Sequence, residues 1–342
     1  MEFSKDYVFD RADGPGELKL IRRPVPVPNS NEVIVSMKAA GLNRSEYMFL
    51  TGTYVFQPVF PSKIGTEGAG IIYSLGDEVS GFEIGDEVCV TPNILPQEYG
   101  VMGEYVRVPK DALVHKPKQL SFEEAGSIWM ALSTAYCGLV VNGGLKRDHG
   151  QTVLISAASS SVGVALIQMA KNHGAKVIVT TRTSQKADFL YEMGADYVIA
   201  TENEDIVVMV NEYTNGKGFD IGFDMVAGEM LTKFAEAAGI GARIIAGGLL
   251  SMEVPEIPFF PLVMKNLTLG SFHVVIHLFR NPEVFETAKK HILEGIESGA
   301  YGAQIDKVFD FEHTAKAYEY LAGSTQRGKV VVTFKNNRDG IN

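Results

Sequence analysis

Cysteine is almost missing from this chain: Cys89 and Cys137 are the only two among 342 residues. That excludes a disulfide framework and a thiolate metal cage, and both thiols read as buried and reduced, as a cytoplasmic location would keep them. A positive surplus is missing too. With 31 Lys and Arg against 41 Asp and Glu, the formal net charge is −10. Such a surface repels nucleic acid and anionic membranes, and a phosphate-bearing ligand must find local cations. Long hydrophobic runs are also lacking: the longest weakly polar stretch, residues 127–141, is too short to cross a bilayer and is broken by Ser133 and Thr134. It reads as a buried globular helix. Residues 1–10 have neither the basic start nor the apolar core of a signal peptide, and no export is expected.

Apolar residues make up 46% of the chain, which rules out general disorder. The length exceeds what one hydrophobic core organises, so two domains are expected. The 35 glycines are spread along the chain, as the tight turns of an α/β fold require. In the first third, short apolar runs at 32–37, 70–75 and 87–91 alternate with Gly, Pro and Asp, the pattern of a β-rich unit. The Pro-rich run 22–28 fits an extended edge segment. Ser121-Phe-Glu-Glu124 is a capping box and predicts a helix start.

From residue 151 onward, β-branched runs alternate with helical patterns. Strand 152–156 precedes helix 162–173, 176–180 precedes 185–193, 197–199 precedes 204–213, and 219–224 precedes 230–238, with a strand at 242–246. This winding predicts a doubly wound parallel sheet of the Rossmann kind. A strand at 266–272 and a long helix at 282–298 follow, and short-strand character returns at 306–311 and 329–334. The first domain is therefore expected to be discontinuous, 1–128 with 273–342, around a Rossmann domain at 129–272.

The stretch Ala157-Ala-Ser-Ser-Ser-Val-Gly163 stands between a strand and a helix, where backbone N–H groups and a helix N-terminus can face a pyrophosphate. Ser159, Ser160, Ser161, Val162 and Gly163 are the candidate contacts. Small Ala and Ser replace two glycines of the usual fingerprint, and only Gly163 remains to let helix and strand pack closely. The alternative is an ordinary turn of a flavodoxin-like domain that holds no nucleotide. An acidic partner for a ribose 2′-hydroxyl belongs at the end of the second strand, but the sequence there is Thr180-Thr-Arg182-Thr-Ser-Gln-Lys186. Arg182 and Lys186 can meet a 2′-phosphate, with Thr181 and Thr183 adding hydroxyls, so NADPH is the expected cofactor. Two solvated cations on a surface helix are the competing reading.

Several separated motifs occur in a telling order: Gly65-Thr-Glu-Gly-Ala-Gly70, Leu75-Gly-Asp-Glu-Val79, Gly81-Phe-Glu-Ile-Gly-Asp-Glu-Val88, Gly103-Glu-Tyr-Val106 and the turn at 157–163. Over nearly its full length the chain resembles the quinone oxidoreductase branch of the medium-chain dehydrogenase/reductases. The resemblance implies a GroES-like catalytic domain made from both chain ends, an inserted Rossmann domain, and a cleft at their junction. It also implies a homodimer formed through the last Rossmann strand, near residues 266–272. Zinc alcohol dehydrogenases of the same superfamily carry Cys at the position of Asn43, His at that of Thr66, and a four-Cys lobe. None of these is present, and Asn43, Thr66 and Glu67 do not make a zinc set. The seven histidines show no ligand-like cluster. The nearest to one, His273 with His277, is expected to be pulled apart by extended backbone.

Without a Lewis acid the acceptor must itself take hydride readily, as quinones and α,β-unsaturated carbonyls do by spreading charge onto oxygen. The protein then aligns donor and acceptor, excludes water and offers hydrogen bonds to the developing oxyanion. By resemblance Asn43 and Tyr54 line the cleft beside the nicotinamide, offering an amide N–H and a phenolic O–H for orientation and oxyanion stabilisation. Each can instead serve structure alone, Asn43 as a turn cap and Tyr54 as packing. Met48 stands where another family tyrosine would, which suits an apolar substrate. Thr134 resembles a residue at the nicotinamide end, although a mid-helix Thr also bonds its own backbone. Gly247 and Gly248, closing the fifth strand, would let the cofactor ring approach main chain. The expectation is an NADPH-dependent, zinc-independent reductase of a small quinone or enone. A metal-dependent alcohol dehydrogenase and an NADPH-binding structural or regulatory protein with little turnover are the competing readings.

Overall fold

Strands form where the β-branched runs stand. A computed structural model describes residues 2–335, and its strands β1 to β7 are Phe3–Val8, Lys19–Pro24, Glu32–Gly41, Gly68–Leu75, Glu87–Val90, Tyr105–Pro109 and Leu113–His115. Strands β8 to β13 are Thr152–Ile155, Lys176–Thr181, Tyr197–Ala200, Phe219–Asp224, Ala238–Ala246 and Thr268–Ser271. The last two, β14 and β15, are Ile305–Asp310 and Lys329–Thr333. The described residues divide into two units, 2–130 with 302–335, and Ala131–Tyr301.

In the first unit, β3 is the hub. It pairs antiparallel with β15, β4 and β6, within the sheet order β14-β15-β3-β4-β5-β7, while β1 and β2 form a separate hairpin. Val33, Ile34, Val35 and Met37 in this strand are all fully buried, because a strand covered on both faces keeps apolar residues in both phases of the pleat. The core gathers Phe9, Val35, Leu50, Ile64, Tyr318 and Val332 from both ends of the chain. The expected discontinuous, GroES-like β-rich domain is what the sheet builds.

The second unit is a six-stranded sheet in the order β10-β9-β8-β11-β12-β13, parallel throughout. That order is the doubly wound Rossmann arrangement, whose direction reverses between β8 and β11. Leu154, Ile178, Phe219, Phe234 and Ile244 form its core. The domain boundaries differ from those read in the sequence. The first falls after Met130 rather than residue 128, and the second after Tyr301 rather than residue 272. The reason is packing of the helix Pro282–Glu297: its Phe285 joins Cys137 and Leu278 in one buried cluster, and its His291 ring lies 5.2 Å from His173 and 5.1 Å from Tyr136. A polar-faced helix whose next strand, β14, belongs to the first unit carried no sign of the unit it would cover.

Two local features also differ from expectation. Residues 274–280 are helical rather than extended: His273, itself extended, caps the helix Val274–Arg280, its ring accepting the Ile276 N–H at 3.3 Å, and His277 lies inside that helix. The helix Trp129–Ala135 continues as a π-helical segment, Tyr136–Asn142, a geometry with no signature in hydrophobic periodicity.

Candidate active site

The candidate phosphate turn lies where β8 ends and the helix Ser161–Asn172 begins. Ser160 caps this helix, its hydroxyl accepting the Gly163 N–H at 3.0 Å. Ala157 takes a left-handed φ of 46°, an uncommon conformation for a residue with a Cβ. A Cβ on Gly163 would stand 2.3 Å from the Ala158 carbonyl oxygen, so only glycine lets the helix start this close to its own turn. Ser159, Ser161 and Val162 are half-buried around it. Lys186 reaches the turn from beyond β9, its Nζ donating to Ser159 Oγ at 3.1 Å. The structure thus brings together the two stretches singled out separately in the sequence. Thr181 is buried at the end of β9 and Arg182 is exposed just after it. The Glu202 carboxylate accepts the Ser184 N–H at 3.2 Å, an acidic neighbour that the linear reading did not include.

Sequence reasoning missed Asp224, the last residue of β11. Fully buried, its carboxylate accepts the Ser156 hydroxyl at 2.7 Å and the N–H groups of Val226 and Ala227 at 2.9 and 3.0 Å. Burial pushes this carboxyl above its ordinary value, against the opposing pull of those three bonds. The clamp ties β8 to β11 at their carboxyl ends, at the switch point where such sheets bind ligands. An acidic residue closing an apolar run was the available signal. Gly247 and Gly248 have a packing reason of their own: a Cβ on Gly247 would meet the Phe223 ring at 2.3 Å, and one on Gly248 the Met225 carbonyl oxygen at 2.7 Å. The expected approach of a cofactor ring is not needed to account for them. Thr134 is half-buried near the end of the helix Trp129–Ala135.

A second polar cluster lies inside the first unit. Asn43 precedes the helix Arg44–Leu50, and its backbone N–H donates to Glu46 Oε2 at 3.0 Å. Its side-chain oxygen accepts from Lys329 Nζ at 2.7 Å, while its amide nitrogen donates to Thr66 Oγ1 and Glu67 Oε1, both at 3.1 Å. The ammonium on one side and the carboxylate on the other leave no doubt about which end of the amide is oxygen. Both amide hydrogens are therefore committed inside the protein. The expected donation from Asn43 to a substrate oxygen is not the arrangement seen, because the buried Glu67 takes that hydrogen bond.

Glu67 and Lys329 form a buried ion pair, Nζ to Oε1 at 2.5 Å, and Glu67 Oε2 also accepts the Met130 N–H at 2.9 Å. Glu46 accepts from the Thr66 hydroxyl at 2.5 Å, the Thr66 N–H at 2.8 Å and the Tyr318 hydroxyl at 2.8 Å. Burial raises the Glu46 carboxyl above its ordinary value and holds Tyr318 well above the phenol range. Tyr54 is half-buried, hydrogen-bonded to the Ser45 side chain, and its hydroxyl is pushed up to about 12 by burial. It stays a phenol, and so a proton donor, at every physiological pH.

These residues do not fit a zinc ion. A catalytic zinc needs three or more deprotonated protein ligands, whereas Glu67 and the Asn43 oxygen already face an ammonium that would repel any second cation. Among the described residues, no group of three or more His, Cys, Asp or Glu side chains converges to hold a metal.

Comparison with known proteins matches this architecture. The alcohol dehydrogenase GroES-like domain family matches residues 29–118 and the zinc-binding dehydrogenase family residues 161–294. A quinone oxidoreductase-like protein 2 homolog from Nematostella vectensis is 30% identical over 90% of this chain and 82% of its own length. Human quinone oxidoreductase is 29% identical over 93% of this chain and 94% of its own. The crystal structure of a quinone oxidoreductase from Pseudomonas syringae superposes with a TM-score of 0.87 at 26% identity, covering 96% of this chain and 99% of that one. Likeness of this extent, over both units, makes the chain a member of the quinone oxidoreductase branch of the medium-chain dehydrogenase/reductase superfamily and an NAD(P)-dependent oxidoreductase.

Proposed function

We propose that this protein reduces quinones or α,β-unsaturated carbonyl compounds with NADPH, and that it does so without zinc. The observation that carries the reading is the Lys329 ammonium lodged between Asn43 and Glu67: charge developing on a substrate oxygen has hydrogen-bond donors, not a Lewis acid, to stabilise it. When bound, NADPH supplies the hydride. Ser159, Ser160, Ser161, Val162 and Gly163 would hold its pyrophosphate, and Arg182, Lys186 and the Thr181 hydroxyl its 2′-phosphate. Thr134, Gly247 and Gly248 would border the nicotinamide end. The Lys186 to Ser159 contact supports this division, since it sets a cation against the phosphate turn.

Tyr54 would donate its phenolic hydrogen to the developing enolate or quinolate, and Asn43 would serve by fixing the wall behind it rather than by touching substrate. The protein would act as a homodimer in the cytoplasm. Two buried free thiols suit a reducing compartment, and β13 leaves one edge of the Rossmann sheet unpaired among the described residues.

A panel of quinones, enones, enals and simple aldehydes, assayed with NADPH and NADH in parallel and with a chelator present, tests the reading. Turnover of quinones or enones that favours NADPH and ignores the chelator is expected. A stoichiometric zinc required for turnover, or tight NADPH binding with no acceptor reduced, would overturn it.

A further inference from the structure

We infer that Lys329 is a positioning residue for the reaction: its buried ammonium anchors the helix Arg44–Leu50, and that helix sets the place of Tyr54. The inference rests on the role proposed above for Tyr54. Three neighbouring strands bring the parts together. β15, β3 and β4 are adjacent and successively antiparallel, so Lys329 at the start of β15, Asn43 just past the end of β3 and Glu67 just before β4 meet at one end of the sheet. Gly41 opens the way for the lysine stem, since a Cβ there would lie 2.7 Å from Lys329 Cε. Lys329 is only 2% exposed, and its charge is spent on Glu67 and the Asn43 oxygen.

From there the order passes into the helix. Asn43, held by the ammonium, is joined to Glu46 through its backbone N–H. Glu46 in turn is gripped by Thr66 and by Tyr318 of the helix Thr314–Ala322. Ser45, in the same first turn, bonds the Tyr54 hydroxyl. A shift of that turn therefore moves the donor. An apolar cluster of equal volume would pack this corner at least as favourably, because a buried ion pair seldom adds net stability. What fixed charges add is one permitted geometry.

The neutral pair Lys329→Met with Glu67→Gln separates positioning from folding, since it removes both charges together and keeps chain length. The double variant is expected to melt cooperatively and to bind NADPH as the parent does. Its kcat should fall roughly tenfold to a hundredfold, as displacement of a reacting group does, and amide exchange across residues 44–50 should be faster. A folded double variant with parental kcat overturns the inference. If that variant fails to fold, Tyr318→Phe decides: it removes one hydrogen bond to Glu46, and unchanged kcat overturns the inference while a several-fold loss with unchanged NADPH affinity supports it. Tyr54→Phe run alongside separates the two levels. Impaired Tyr54→Phe with a fully active double variant defeats only the positioning role, whereas parental turnover in Tyr54→Phe removes the reading of Tyr54 and the inference with it.

Discussion

At the scale of single residues, charge placement decides most of what this protein can bind. A surface with net charge −10 gives a nucleotide phosphate no general attraction, so on the proposed reading the cations at the end of β9 would supply the local attraction for a 2′-phosphate. Arg182→Ala should weaken NADPH by about tenfold or more and leave NADH nearly unchanged, since a charge-assisted hydrogen bond is worth about 1.5–3 kcal/mol. Fluorescence titration with both cofactors measures it, and equal losses would withdraw the 2′-phosphate assignment. Arg182 and Lys186 were legible because the role proposed for them depends on one strand end. Lys329 was not, as nothing in a Gly-Lys-Val-Val run announces a buried ammonium opposite a carboxylate 262 positions away in sequence.

Among the elements, the helix Pro282–Glu297 illustrates how packing assigns a segment to a domain. Its His291 sits against His173 and Tyr136. The Tyr301 hydroxyl, which accepts from Asn172 at 3.0 Å, lies 2.8 Å from His291 Nε2 and can donate to it while that ring is neutral. Burial, with His173 and Arg147 adding to it, pushes His291 down to about 4, below the ordinary value near 6.5. Between these values the unfolded chain takes up a proton that the folded chain refuses, so stability from this site is complete above the upper value. It is lost as pH falls toward the lower one. Melting temperatures followed across this window should drop more steeply for the parent than for His291→Gln. Parallel curves would exclude His291 as an acid-sensitive contact. Periodicity placed this helix correctly, but its partners, a π-helical segment and the end of another helix, exist only once the sheet is wound.

For the whole molecule, one surface stands out. The helix Phe259–Met264 buries none of its residues, and Phe260 and Met264 are 79% and 80% exposed in the stretch of chain that leads into β13, whose outer edge is unpaired among the described residues. Exposed apolar side chains and an unpaired strand edge are what a partner chain covers. The parent should sediment as a dimer, and Phe260→Asp combined with Met264→Asp should sediment as a monomer; a monomeric parent at micromolar concentration would rule out this interface. The sequence by itself determined the two architectures, the capped small-residue turn after β8 and the cations past the end of β9, because each depends on local periodicity, capping and turn chemistry. Only the tertiary structure decided where the second domain ends, that the Asn43 amide faces inward, and that Lys329 and Glu46 meet around it. Those outcomes depend on which strand ends become neighbours, and sheet pairing across a discontinuous domain leaves no mark on any short stretch of chain.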